Sequence, residues 1–169
     1  MQPLQPTVVI EVRPLDPERD VDAVAAALVD SSIHHASLEP ERYRILDPAV
    51  VADDYRTGRQ HSSGRPGERA TLVAELDGKV VGFVDVRVVY PGGSHRPLRY
   101  GYVSELAVAE PARRRGVGAA LLAAAEAWAR DHSCVYATLD YNARNLDAGR
   151  FYLDRMGYRP AGEIVLKEL

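Results

Sequence analysis

The feature that most constrains this fold is an Asp-Gly pair, Asp77-Gly78, between two runs of alternating apolar residues. Apolar or small residues occupy every second position on both sides: Leu72, Ala74 and Leu76 before it, then Val80, Gly82, Val84, Val86 and Val88. Because both central positions of a two-residue turn favour positive φ, this pattern predicts a β-hairpin. The second strand ends at Pro91-Gly92-Gly93, and another is predicted from about Arg99 to Val108. The middle of the chain is therefore predicted to be an antiparallel meander.

The chain before this meander shows helical spacing. A short β-branched run, Thr7 to Arg13, precedes Asp16-Pro17, a pair suited to an N-cap and a first helical position. Apolar residues then recur at spacings of three and four, which predicts a helix over about Asp16 to Val29. The mixed segment Ser31 to Arg59 indicates a second, broken helix, and Gln60 to Arg69 is read as an exposed loop.

The chain after the meander alternates between strand and helix. A helix is predicted from the spacing of Val117, Leu121, Ala125 and Trp128. A buried strand from Cys134 to Asp140, a helix from Asn145 to Met156 closed by Gly157, and a last strand from Tyr158 to Leu169 follow. A strand, helix and strand of this length form a βαβ unit with parallel strands. The expected fold class is α+β: a central mixed, mostly antiparallel sheet flanked by helices.

Composition narrows the class of protein. The 169 residues are 46% apolar with a formal charge of -3, which fits one soluble domain spanning residues 1–169. The single cysteine, Cys134, excludes an internal disulfide and a CxxC redox pair, and no metal site is expected. The 21 basic residues are scattered among 24 acids, so neither nucleic-acid binding nor membrane association is predicted. No apolar run or leader segment is evident, so we expect a cytoplasmic protein.

The segment from Glu105 to Leu122 carries the clearest chemical signal. A strand ends near Ala109, Pro111 breaks it, and a turn holding Gly116 and Gly118 opens directly into a helix. The free N–H groups at a helix N-terminus, together with glycines that allow close approach, favour an anion such as a pyrophosphate. Three adjacent arginines, Arg113 to Arg115, add positive charge.

Sequence alone leaves several interpretations of this turn. A P-loop is excluded because no lysine follows the glycines in the required position. A dinucleotide site is closer, since Gly116-Val-Gly118 follows a strand and Asp140 ends the next one, but the third small residue would fall at Leu121. A nucleotide-dependent oxidoreductase and a turn that binds nothing remain as alternatives.

Two linked motifs carry a more specific resemblance. Arg113-x-x-Gly116-x-Gly118, followed by an Ala-Leu-Leu helix, resembles the acetyl-CoA signature of the GCN5-related N-acetyltransferase (GNAT) family. Downstream, the segment from Asn145 through Phe151-Tyr152 to Gly157-Tyr158 resembles that family's Asn-x-x-Ala-x-x-Phe-Tyr-x-x-x-Gly-Phe block, with tyrosine for the last phenylalanine. The order and separation of both blocks fit, and the resemblance covers about Leu72 to Leu166.

The resemblance implies an acyltransferase that moves the acetyl group of acetyl-CoA directly to a primary amine in a ternary complex, in a protein that we expect to be cytoplasmic and bacterial. The backbone of Leu106, Ala107 and Val108 would pair with the pantetheine arm and polarise the thioester carbonyl. The pyrophosphate would lie on the turn made of Arg113, Arg114, Arg115, Gly116, Val117, Gly118 and Ala119. The acetyl-CoA site would thus belong to the βαβ unit of a single GNAT domain, acting as a monomer or homodimer.

Two side chains are candidates for proton transfer. An amine arrives as ammonium and must lose a proton, and Glu105 is the candidate base; strand alternation places it on the opposite sheet face from Leu106 and Val108. Tyr152 is the candidate acid for the CoA thiolate. It lies seven residues after Asn145, which on a regular helix puts both on one face about 10 Å apart, with Asn145 toward the pantetheine. The simpler alternatives are that Glu105 is a solvated acid on a half-exposed strand and that Tyr152 is an aromatic residue of the core.

The acceptor is not encoded by a motif. By resemblance, acceptor contacts fall in about Ile33 to Tyr55 and around Arg159 to Glu163, and an antibiotic, polyamine, amino acid, peptide or protein amine all remain open. A domain that binds or senses acyl-CoA without catalysis is the alternative function. Glu105 is the residue that such a binder does not need.

Overall fold

The fold is built on one five-stranded sheet with the spatial order β1-β2-β3-β4-β5. The computed structural model describes residues 9–61 and 65–167. The strands are Ile10–Pro14 (β1), Arg69–Leu76 (β2), Lys79–Val89 (β3), Tyr100–Val108 (β4) and Tyr136–Leu139 (β5). The pairs β1–β2, β2–β3 and β3–β4 are antiparallel, whereas the pair β4–β5 is parallel. This confirms the predicted mixed, mostly antiparallel α+β architecture and its βαβ unit.

The β2–β3 hairpin forms as the Asp-Gly pair predicts. Asp77 has φ 52° and Gly78 has φ 74°, so both turn positions lie in the left-handed region. The register set by the turn holds for Leu76 opposite Lys79 and Glu75 opposite Val80. A β-bulge next to this point then shifts it by one residue, so that Leu72 lies opposite Val84.

Helices cover both faces of the sheet. On one face lie α1 (Val21–Leu38) and α2 (Pro48–Thr57), which pack against Val73, Phe83 and Ala107. On the other lies α3 (Val117–Asp131), whose apolar residues pack against Ala74, Val84 and Val86. Because successive strand residues point to opposite faces, β2 and β3 each supply side chains to two separate cores.

The first helix starts and ends later than predicted. Asp16 begins a turn in which its carbonyl accepts from the Asp20 N–H at 2.9 Å, and the buried Asp20 carboxylate accepts from both the Asp16 N–H and Arg13. Asp20 therefore sits where α1 begins, and the helix continues to Leu38. The second helix is continuous, with the Asp47 side chain accepting from the Ala49 N–H at its start and Gly58 in the left-handed conformation at its end.

The C-terminal part departs furthest from expectation. The strand predicted as buried, Cys134 to Asp140, is shorter and half exposed because it pairs on one side only. The next helix begins as α4 (Leu146–Gly149) and continues as a π-helical segment, Arg150–Arg155. The predicted last strand does not form between residues 158 and 167, since an apolar run such as Ile164 to Leu166 becomes a strand only where a sheet edge pairs with it. Thr7, Val8, Glu168 and Leu169 lie outside the described residues.

Two absences hold for the described part of the chain. Within residues 9–61 and 65–167, no helix combines the length and the apolar character needed to cross a bilayer. In the same ranges, no three His, Cys, Asp or Glu side chains are grouped so that they could hold a metal ion.

Candidate active site

The candidate site begins where β4 separates from β5. The parallel pairing runs from Tyr100 opposite Tyr136 to Val103 opposite Leu139 and then stops, although β4 continues to Val108. Among the described strands, none pairs with this edge of β4 beyond Val103. The backbone of Leu106 to Val108, which the resemblance assigns to pantetheine, therefore lies along an open strand edge.

A β-bulge in β4 determines which way the site residues point. Asp85 pairs with Glu105 and Val86 pairs with Val103, so Ser104 is an extra residue that interrupts the alternation. Val103 lies in the α3 core, and Leu106 and Val108 pack against that core, whereas Glu105 lines a cavity on the opposite face. The predicted difference in face between Glu105 and its two neighbours is confirmed.

Glu105 has the protonation behaviour of a candidate base. Its side chain touches solvent at the cleft mouth, yet the surrounding protein displaces much of the water that would stabilise a carboxylate. This desolvation, and next the nearby charge of Asp85, raise the pKa of Glu105 to about 7. Asp85 is itself buried and accepts hydrogen bonds from Tyr55, at 2.6 Å, and from Thr71. Glu105 is thus poised to exchange a proton near neutral pH.

The turn after β4 presents free backbone donors. Arg114 has φ 62° and Gly116 has φ 88°, and Gly116 caps α3 without any side-chain hydrogen bond to the first helical turn. The first N–H groups of α3 are therefore available to an anion. Arg113, Arg114 and Arg115 are all exposed, and Arg113 Nε donates to the Val108 carbonyl at 2.9 Å. The Val117 side chain is buried in the core, so only its backbone can contribute to binding.

The second motif packs directly against the first. A Cβ placed on Gly118 would lie at ordinary van der Waals distance, 3.5 Å, from the Phe151 ring, so the two motifs are direct neighbours. Asn145 caps α4 by accepting from the Ala148 N–H at 3.1 Å. The expected α-helical relation between Asn145 and Tyr152 does not hold, because residues 150–155 are wound as a π-helix. In that segment Met156 N–H donates to the Phe151 carbonyl, five residues back.

Tyr152 combines a packed ring with an accessible hydroxyl. The side chain is 9% exposed and makes edge contacts with Phe151 and Tyr158. Burial, and then the charge of Glu105, raise the pKa of Tyr152 to about 12. The hydroxyl has no hydrogen-bond partner among the described residues, and it is not one of their fully buried unpaired polar atoms. Tyr152 therefore stays protonated at neutral pH and has a free proton to donate.

A cavity of about 400 Å³ lies beside Glu105, between β4, α2 and the segment that precedes α2. Sequence reasoning assigned acceptor contacts to about Ile33 to Tyr55, and much of the lining comes from that range: Arg44, Ile45, Leu46, Asp47, Val50, Val51, Asp54 and Tyr55. It missed Asp85. The available signal was a carboxylate between Val84 and Val86 in a buried strand. No lining residue comes from Arg159 to Glu163.

Comparison with known proteins identifies the family of this chain. The model of the acetyltransferase (GNAT) family matches residues 30–158, which include both motifs and the open edge of β4. The chain belongs to this family. It is accordingly an N-acetyltransferase by class.

Relatives of established activity acetylate amines of different kinds. An aminoglycoside N(6')-acetyltransferase type 1 of Serratia marcescens is 29% identical over 110 residues, covering 63% of this chain and 74% of that one. An aminoalkylphosphonate N-acetyltransferase of Salmonella typhimurium is 36% identical over 119 residues, covering 66% of this chain and 75% of that one.

Solved structures confirm the fold. A mutant of the BH1408 protein of Bacillus halodurans matches with a TM-score of 0.82 at 19% identity, covering 94% of this GNAT chain and 99% of that one. The aminoglycoside N-acetyltransferase AAC(6')-Iy in complex with CoA matches with a TM-score of 0.70 at 16% identity, covering 98% and 99%.

Proposed function

We propose that this GNAT protein transfers the acetyl group of acetyl-CoA directly to a primary amine in a ternary complex, and that residues 1–169 form one transferase domain. One observation carries the proposal: the open edge of β4 runs from the Glu105 cavity to the uncapped N-terminus of α3. The pantetheine arm of acetyl-CoA, lying along that edge, would place its pyrophosphate at the N-terminus of α3 and its thioester beside an amine in the cavity. The complex with CoA of AAC(6')-Iy supports acetyl-CoA as the cosubstrate.

In this mechanism the cofactor is held mainly by backbone groups. Pantetheine amides pair with the edge of Leu106 to Val108, as an added strand would. The N–H groups from Val117 to Ala119 bind the pyrophosphate, the glycines at 116 and 118 allow its approach, and Arg113 to Arg115 add exposed charge. The amide of Asn145 donates from the opposite wall of the cleft, since its carbonyl oxygen already caps α4.

Proton transfer is divided between the two faces of the sheet. Glu105 takes a proton from the acceptor ammonium, directly or through a water, and the free amine attacks the thioester carbonyl. This attack forms the C–N bond and breaks the thioester C–S bond, so the sulfur leaves as thiolate. The attacking nitrogen loses its second proton to solvent, which gives the neutral amide. Tyr152 donates a hydrogen bond to that thiolate. Because a pKa near 12 lies well above the roughly 8.5 of a cysteine-like thiol, this bond stabilises the thiolate more than it transfers the proton.

The test is acetyl transfer by the purified protein. With acetyl-CoA and a panel of primary amines, CoA release that depends on the amine, together with an acetylated product by mass spectrometry, is expected. Glu105→Gln is expected to lower turnover by about a hundredfold, as loss of a general base typically does. Glu11→Gln, an exposed strand glutamate, is the matched control and keeps turnover. Saturable acetyl-CoA binding without transfer to any amine would contradict the proposal and point to a binding domain.

A further inference from the structure

A buried carboxylate joins two segments that lie far apart in the chain. Glu39 caps the end of α1 and is only 7% exposed, and carboxylates are seldom buried without partners. The side-chain amide of Asn142 donates to Glu39 Oε2 across 103 positions of sequence. Arg144 adds a second hydrogen bond between the same segments, since it donates to the Leu38 carbonyl at 3.1 Å. The end of α1 is thus fastened to the loop between β5 and α4.

On one side of this contact lies the turn that would meet acetyl-CoA. The Asn142 side-chain oxygen accepts from the Arg144 N–H at 2.8 Å, and the Asn142 carbonyl accepts from the Asn145 N–H at 2.8 Å. Asn145 is the residue assigned to the pantetheine in the proposed function, and it also caps α4. A cofactor that contacts Asn145 therefore acts on the same turn that donates to Glu39.

On the other side lies the wall of the acceptor cavity. Residues 39–47 form neither helix nor strand. The Glu39 carbonyl accepts from the Arg42 N–H at 3.1 Å and from the Tyr43 N–H at 3.0 Å, so Glu39 also holds the turn that opens this segment. The four residues that follow, 44–47, all line the cavity. Glu39 thus supports the start of the segment that forms the wall.

We propose that Glu39 is a positioning residue that couples acetyl-CoA binding to the shape of the acceptor cavity. The cofactor fixes the turn from residue 142 to 145, this turn fixes Glu39, and Glu39 fixes the start of the wall. The far end of the wall is held separately, because the Leu46 N–H donates to the Ser32 hydroxyl at 3.1 Å. The inference rests on the proposed function only in taking Asn145 as a cofactor contact.

This coupling acts through conformational entropy. A wall that is ordered when the cofactor binds needs no further ordering when the acceptor arrives, so acetyl-CoA favours acceptor binding. The physical sign of the coupling is slower local opening of residues 39–47 in the cofactor complex, which amide hydrogen exchange measures directly.

The experiment is hydrogen exchange of the full chain with and without saturating CoA, measured by mass spectrometry in peptides that cover residues 41–47. CoA carries no acetyl group, so the measurement needs neither turnover nor an acceptor. In the wild type, bound CoA is expected to slow exchange in this segment about threefold or more. Saturable CoA binding with unchanged exchange there would overturn the inference and leave the proposed function standing. Absence of CoA binding would contradict the proposed cofactor site and the inference with it.

Two alanine variants remove the link from its two ends. Glu39→Ala and Asn142→Ala are both expected to bind CoA and to lose the protection of residues 41–47. Because CoA stabilises the whole fold in each variant, a loss confined to this segment reports the link. Glu39→Gln keeps a side-chain oxygen for the Asn142 amide and is expected to keep the protection. Protection that persists in both alanine variants would overturn the role of Glu39.

Arg42→Ala is the matched control. Arg42 pairs with Glu39 at 3.1 Å from within the same segment, so its removal disturbs Glu39 locally and leaves the bond to Asn142 in place. We expect CoA to protect residues 41–47 in this variant as in the wild type. Loss of protection equal to that in Glu39→Ala would show that Glu39 supports the segment only locally, and would overturn the coupling.

Steady-state kinetics keep the two proposals distinct. With an amine of the panel that is acetylated, Glu39→Ala is expected to raise KM for the amine about fivefold and to leave kcat within about twofold, because Glu39 acts on the wall and not on the reacting atoms. An unchanged KM for the amine would overturn the coupling. Protection of residues 41–47 by CoA without acetylation of any amine would support the coupling and count against the proposed transferase reaction.

Discussion

At the scale of single residues, the proposed chemistry depends on two carboxylates paired across β3 and β4. Asp85 and Glu105 are opposite one another in the register, and the first is fully buried beneath the second's cavity. A buried negative charge beside Glu105 favours its protonated form and so makes it a stronger base once it is deprotonated. Burying the Asp85 charge lowers the stability of the folded protein. The same charge makes Glu105 a base that works near neutral pH.

The pH dependence of turnover tests this pairing. Glu105 must be deprotonated to accept a proton, so kcat/KM is expected to rise with pH through a midpoint near 7. Asp85→Asn removes the neighbouring charge, so the midpoint moves to lower pH. Tyr55 and Thr71 donate to different carboxylate oxygens, so the amide oxygen keeps one of these bonds and the amide NH2 donates to the other hydroxyl. Asp53→Asn, which removes an exposed charge outside the cavity, leaves the profile in place. An unmoved midpoint in Asp85→Asn would show that desolvation alone sets the pKa of Glu105.

Tyr152 gives a second test at this scale. Tyr152→Phe keeps the packed ring and deletes the hydroxyl, so turnover is expected to fall about tenfold or more while acetyl-CoA binding stays nearly constant. The matched control is Tyr158→Phe: Tyr158 contacts the Tyr152 ring, but its own hydroxyl donates to Glu126 at 3.1 Å. Steady-state kinetics and titration with CoA measure the two effects. Equal turnover in both variants would remove Tyr152 from the mechanism.

At the scale of elements, the site is positioned by how closely α3 packs on β4. A Cβ on Gly101 would lie 2.5 Å from the Ala129 Cβ, so this glycine is what lets the helix approach the strand. Both elements form the proposed acetyl-CoA site, β4 through its open edge and α3 through its N-terminus. Displacing α3 therefore changes binding as well as stability.

Gly101→Ala measures this approach. We expect the free energy of unfolding to fall by about 1–3 kcal/mol, as for overpacked cores, and the affinity for acetyl-CoA to fall with it. Adding Ala129→Gly removes the clash and is expected to restore affinity, although glycine in the helix lowers its stability by about 1 kcal/mol. Gly92→Ala is the control, since no atom lies within 4 Å of the added Cβ. Unchanged affinity for acetyl-CoA in Gly101→Ala would show that cofactor binding does not depend on the position of α3.

At the scale of the whole molecule, the proposed binding mode of acetyl-CoA connects elements that do not contact each other through the sheet. β4 and β5 diverge after Val103 and Leu139, and a bound arm would bridge the opening between β4 and the α4 segment. A ligand that binds only the folded chain stabilises all of it by mass action.

Thermal unfolding measures this coupling. Acetyl-CoA at about a hundred times its dissociation constant adds about 2.7 kcal/mol, which for a chain of this size raises Tm by roughly 5 to 10 °C. CoA is expected to give a similar shift, because the pyrophosphate and pantetheine contacts are the same, and NADH none. Scanning calorimetry with the three ligands in parallel measures it. An equal shift with NADH would contradict the acyl-CoA assignment.

The sequence by itself determined the parts that depend on local backbone chemistry. Asp77-Gly78 specified a hairpin because both residues accept positive φ, and the spacing after Gly116 specified α3. The two motifs predicted the acetyltransferase family, and the order of elements predicted the mixed sheet. Each of these depends on residues close together in the chain, where conformational preference is expressed directly.

Tertiary structure alone decided the features that join distant residues. Alternation could not reveal the bulge at Ser104, since it arises from pairing with β3. Nor could sequence give the cavity, the influence of Asp85 on Glu105, or the failure of residues 158–167 to form a strand. Desolvation, register and edge pairing are properties of surroundings, and those surroundings exist only once segments far apart in the chain have packed together.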